Sequence, residues 1–90
     1  MGLEFYNLET GENLFIIIDN EISNFDTYFN VFNKKYNDLI DIYGDFRLHK
    51  NHLEFLKELI SNTVSMELVG FRDMIDMCIQ ADITITVNGD

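Results

Sequence analysis

The chain has 90 residues, of which 16 are acidic and 6 basic, giving a net charge of -10. That length holds one domain spanning residues 1–90 and excludes a cofactor-binding domain set beside a substrate domain. The anionic excess disfavours direct contact with DNA, RNA or anionic membranes, because affinity for phosphate begins with Lys and Arg displacing counterions.

Leu3, Phe5 and Leu8 precede Glu9-Thr10-Gly11-Glu12-Asn13, a stretch whose Gly and Asn accept positive φ, and the apolar run Leu14 to Ile18 follows. This predicts a β-hairpin. The uninterrupted run predicts a second strand covered on both faces, and the mixed residues 3 to 8 a neighbouring or edge strand. Ser23 or Asn24 caps a helix carrying Phe25, Tyr28, Phe29, Phe32, Tyr36, Leu39 and Tyr43 on one stripe, with Asn30, Lys34, Asn37, Asp38 and Asp41 opposite. Gly44 stands where a left-handed cap ends such a helix, and Asp45 to Lys50 read as a connection.

Asn51-x-x-Glu54 has the placement of a capping box and opens a second helix with Leu53, Leu56 and Ile60 inward and Glu54 and Glu58 in water. Residues 63–69 alternate in the manner of a strand ending at Gly70, although Met-Glu-Leu also favours helix. Phe71, Met74, Ile75 and Cys78 return to helical spacing, and Ile83, Ile85 and Val87 alternate with Thr84 and Thr86 in a terminal strand. The order ββααβαβ predicts an α+β two-layer domain. Its mixed sheet has three or four strands packed with three helices, and the last βαβ unit is parallel if its strands are adjacent.

Chemistry-bearing residues are few. Cys78, the single cysteine, lies on an apolar stripe and is expected to be an inert core thiol, with the fold held by packing in a reducing, cytoplasmic setting. No secretory leader is expected, since residues 1 to 20 contain no Lys or Arg ahead of an apolar run. His49 and His52 supply two ligands where a metal site needs three or four, so no metal is expected there. No Gly-rich phosphate cradle or nucleophile elbow occurs, and no cofactor is expected. Asp73 and Asp76 read as a solvated helix face beside Arg72. The chain is therefore expected not to be an enzyme.

What remains is surface. Asp38, Asp41 and Asp45 close the first predicted helix, where acidic residues oppose the macrodipole, and Glu54 and Glu58 lie on the outer face of the next. A tight connection between these helices is expected to gather the five carboxylates into one patch, with Tyr43 as an aromatic anchor. Glu9, Glu12, Asp19 and Glu21 form a second acidic region. In length, acidity, lack of catalytic groups and α+β plan, the whole chain resembles the small cytoplasmic immunity proteins that protect bacteria from nuclease-type toxins. That resemblance implies a non-catalytic inhibitor that occludes a basic protein partner. Two alternatives follow from the same composition: an anti-defence, anti-CRISPR-like phage protein mimicking nucleic acid, and a structural module homodimerising through an unprotected edge strand, Ile83 to Val87.

Overall fold

In the computed structural model, which describes residues 2–62 and 65–89, the chain forms β1 (Gly2–Asn7) and β2 (Asn13–Ile18), then a 3-10 helix (Asp19–Phe25) that runs into α1 (Asp26–Tyr36). There follow β3 (Asp45–Leu48), α2 (Lys50–Ile60), α3 (Met66–Gln80) and β4 (Ile85–Gly89). The architecture is α+β, with three α-helices on a four-stranded sheet of order β2-β1-β4-β3. Every neighbouring pair is antiparallel, so the sheet is not mixed.

One face of that sheet is apolar because the registers align the inward residues. Leu3 stands opposite Ile17, Phe5 opposite Val87, Phe46 opposite Val87, and Leu48 opposite Ile85, and all are buried. Helices then close over this face alone. Leu53, Leu56 and Ile60 of α2, Phe29 and Phe32 of α1, and Leu68, Phe71, Ile75 and Cys78 of α3 join the strands in one continuous hydrophobic cluster. Four rings surround Phe71: Phe25 at 5.2 Å, Phe5 at 5.4 Å, Phe15 at 5.6 Å and Phe29 at 6.2 Å between centroids, all edge-on. Edge-to-face geometry sets each ring's positive rim against a negative face.

Several expectations are overturned, each for a physical reason. The first helix stops at Tyr36 instead of reaching Tyr43, because Asn37 and Asp38 both take left-handed φ, 55° and 59°. Short polar side chains tolerate that region, and the cap expected at Gly44 is supplied seven residues earlier by Asn37. Asp45 to Leu48 is a strand, not a connection; the alternation of exposed Asp45 and Arg47 with buried Phe46 and Leu48 is the period-two signal. The strand expected over residues 63–69 does not form in its described part, since Met66 already opens α3. The helical stripe Leu68, Phe71, Ile75, Cys78 overrides the alternation, and Met66 is 82% exposed. Positions 63 and 64 lie outside the described residues.

With no strand in the described part of residues 63–69, the element order is ββαβααβ, and the described strands form no parallel βαβ unit. The terminal strand enters the middle of the sheet, pairing with β1 on one side and β3 on the other. Ile83 to Val87 is therefore not an open edge, and homodimerisation by that route is removed. The hairpin is also reversed relative to expectation: the mixed strand β1 is interior, and the apolar strand β2 is an outer edge with Ile16 and Ile18 exposed.

Candidate functional site

The loop between α1 and β3 is built by one residue of the preceding helix. Asn33 donates from Nδ2 to the Ile40 carbonyl at 3.0 Å and accepts at Oδ1 from the Ile40 N–H at 2.9 Å. A two-way grip of this kind satisfies both backbone groups of a residue that is itself buried. The Asn33 carbonyl also accepts from the Asn37 and Asp38 N–H groups, closing the helix end. Next, Asp41 Oδ1 accepts from the Tyr43 N–H at 2.9 Å, the Gly44 N–H reaches the Asp41 carbonyl, and the Gly44 carbonyl accepts from Gly89 of β4. Gly89 is needed for close approach to backbone, whereas Gly44 stands against the movable end of a side chain. A Cβ on Gly89 would stand 2.6 Å from the Ile42 carbonyl oxygen, and one on Gly44 would stand 2.8 Å from the Asp41 carboxylate.

These ties shape an open hollow of about 460 Å³ floored by Phe29 and Ile40 and rimmed by Asp26, Asp38, Asp41 and Tyr43. Tyr43 is 71% exposed, so its ring is free of the core. Among the described residues the ion pairs are Lys57–Asp76 and Arg72–Asp73, and neither involves a rim carboxylate. Asp26 opens α1, where the helix dipole favours an anion. The true last turn of that helix carries Lys34 and Lys35, which suits the dipole; Asp38, one residue beyond the Asn37 cap, still sits at its negative end, whereas Asp41 lies beyond the helix.

The site residues read from the sequence divide accordingly. Asp38, Asp41 and Tyr43 meet at the hollow. Asp45 opens β3, exposed and opposite Asn88. Glu54 and Glu58 border a different hollow beside Lys57 and Ile79, which shares no residue with the first. The sequence does not single out Asp26 and Asn33: Asp26 lies twelve positions before the predicted acidic segment, and an Asn on a helix face carries no signal of its role.

The remaining reactive side chains have structural duties. His49 caps α2, and its N–H donates to His52 Nδ1 at 2.9 Å, two residues earlier than the expected Asn51–Glu54 box. The His52 ring lies against Tyr36 and Phe32, with centroids 4.7 and 5.9 Å away. Among the described residues no three His, Cys, Asp or Glu side chains gather as a metal site. Cys78 is fully buried, its Sγ 3.8 Å from Met74 Sδ, and burial pushes the thiol pKa up. Asp76 is tied to Lys57 and to Gln80 Nε2.

Burial, and to a lesser degree the charge of His49, hold the His52 pKa below its ordinary 6.5. Because the unfolded chain binds the proton more readily, the stabilisation is present in full above pH 6.5 and is lost as pH falls through the folded value. Protonation at Nδ1 also removes the acceptor of the cap. We expect the urea midpoint to drop on acidification from pH 7, and His52→Gln, which keeps an acceptor but does not titrate, to flatten that part of the profile. Identical profiles for the two proteins refute this.

No helix among the described residues is long and apolar enough to cross a membrane. No protein-family model, curated protein or solved structure matches the chain.

Proposed function

We propose that the chain is a non-catalytic inhibitor that binds and neutralises a basic protein partner, as immunity proteins do with nuclease-type toxins. The observation that supports this reading is the hollow at the α1–β3 loop, lined by three carboxylates that form no ion pair among the described residues and by an exposed tyrosine. Such a rim accelerates encounter with a cationic surface. A tyrosine beside it adds contact area at little entropic cost.

The test begins with retention of partners from the source cell at low and high salt, followed by association kinetics with the protein retained. A basic protein whose nuclease activity falls on addition of the chain is the expected result. The triple variant Asp26→Asn, Asp38→Asn, Asp41→Asn is expected to slow association about tenfold at low salt and to flatten the salt dependence, with dissociation little changed. Tyr43→Ala is expected to act on dissociation instead. Competition between nucleic acid and the chain for the partner's groove would favour mimicry over occlusion of a flanking surface. Retention of no basic protein, or unaided turnover of a small molecule by the chain, overturns the proposal.

A further inference from the structure

The sheet has two edges of opposite character. At β3 the edge is four residues long and carries Asp45 and Arg47, the charged side chains that guard an edge against additional strands. At β2 the sequence Asn13-Leu14-Phe15-Ile16-Ile17-Ile18 holds no charge, and Ile16 and Ile18 are 49% and 50% exposed. An uninterrupted apolar run suits a strand covered on both faces, yet no described element lies beyond this one.

Its backbone is also aimed outward. The Asn7 N–H donates toward β2, to Glu12, and the Leu8 N–H toward β4, to Thr84. Antiparallel alternation then turns Leu3 and Phe5 toward β2, so their partners Ile17 and Phe15 bond back to β1. Ile16, between them, directs its N–H and carbonyl away from the sheet, and Ile18 its N–H. Beside this edge lies a hollow of about 240 Å³ bordered by Ile16, Ile17, Met66 and Gly70, with Glu21 at its rim.

We infer that β2 is a docking edge that takes an extended segment of another protein as a fifth strand, one with alternating apolar residues flanked by Lys or Arg. Charge selects this occupant. Residues 1 to 33 contain Glu4, Glu9, Glu12, Asp19, Glu21 and Asp26 and no Lys or Arg. Glu12 precedes the edge strand, Asp19 and Glu21 follow it, and Glu4 stands opposite Ile16 on the outer face. A second copy is disfavoured, because antiparallel self-pairing would set Glu12 of one strand near Asp19 and Glu21 of the other, between bodies of charge -10. Cationic ends on an incoming strand meet these same groups as attractions. The six-residue edge spans about 20 Å, enough for a peptide segment.

The docking edge is separate from the α1–β3 hollow and does not depend on it. Isotope-labelled protein is titrated with two synthetic peptides, each an alternating isoleucine–threonine core flanked by paired lysines in one and paired glutamates in the other. The lysine peptide is expected to shift the amide resonances of Ile16 and Ile18 and slow their exchange, and to bind at least tenfold more tightly than the glutamate peptide. Ile16→Lys with Ile18→Lys should weaken that binding at least tenfold while a cooperative melting transition is kept, since neither side chain belongs to the buried core. Glu12→Lys with Glu21→Lys should reverse the preference between peptides. The triple Asp26, Asp38, Asp41 to Asn variant should bind the lysine peptide as the natural chain does, which separates this surface from the hollow. Unmoved Ile16 and Ile18 resonances, equal binding by the double-lysine variant, or a wild-type dimer that the same variant dissolves would each overturn the inference.

Discussion

Replacing Phe71 by Ala is expected to lower stability by about 3–5 kcal/mol, the range for removing a buried aromatic ring and leaving its cavity. The site is fully enclosed, and its four ring neighbours come from β1, β2, the 3-10 helix and α1. Collapse into the space would require all four to shift, so the cost falls toward the upper end. A domain of this size has a net stability of roughly 5–13 kcal/mol, and the variant therefore loses a large share of it. Urea denaturation followed by far-ultraviolet circular dichroism measures the change. Phe71→Leu retains much of the volume but none of the edge-to-face contacts, and is expected to fall between the two. An Ala variant within about 1 kcal/mol of the natural chain would show that the aromatic cluster is not the centre of the core.

The second large effect concerns the loop that carries the hollow. Asn33→Ala removes both hydrogen bonds to Ile40 and leaves a buried N–H and carbonyl without partners, at a cost of about 2–3 kcal/mol. Because the Asn33 side chain ties α1 to the loop, we expect the loss to be felt first by residues 38–44. Amide exchange at Ile40 should accelerate roughly 30- to 150-fold, the equivalent of that free energy, while the amides of β1 and β4 change less. Asn33→Asp retains the acceptor for the Ile40 N–H but sets a carboxylate oxygen against the Ile40 carbonyl, so it should not rescue the loop. Uniform acceleration across the whole chain would mean that Asn33 serves global stability and does not specifically position Asp38, Asp41 and Tyr43.

These two positions differ in how far the sequence announces them. Phe71 stands on a helical stripe with Ile75 and Cys78, and its burial follows from spacing alone. Asn33 shows nothing of the kind, because its role depends on a residue seven positions later folding back over the helix end. The same contrast separates the two halves of the acidic patch. Asp38 and Asp41 meet because two left-handed residues turn the chain locally, whereas their expected proximity to Glu54 and Glu58 required α1 to run to Tyr43, and it ends at Tyr36.

Local patterning by itself determined the hairpin, the inward stripe of α1 as far as Tyr36, the apolar face of α2, the helix around Phe71 to Cys78 and the alternating last strand. Each rests on a period of 2 or 3.6 that is written along consecutive residues. Tertiary structure alone decided that β4 enters between β1 and β3, that the short alternation Asp45–Leu48 finds a partner in β4, and that the most apolar strand is left at the sheet's rim. Strand order is a choice between non-local pairings, and the side-chain pattern of one strand names the face it buries but not the neighbour at its edge.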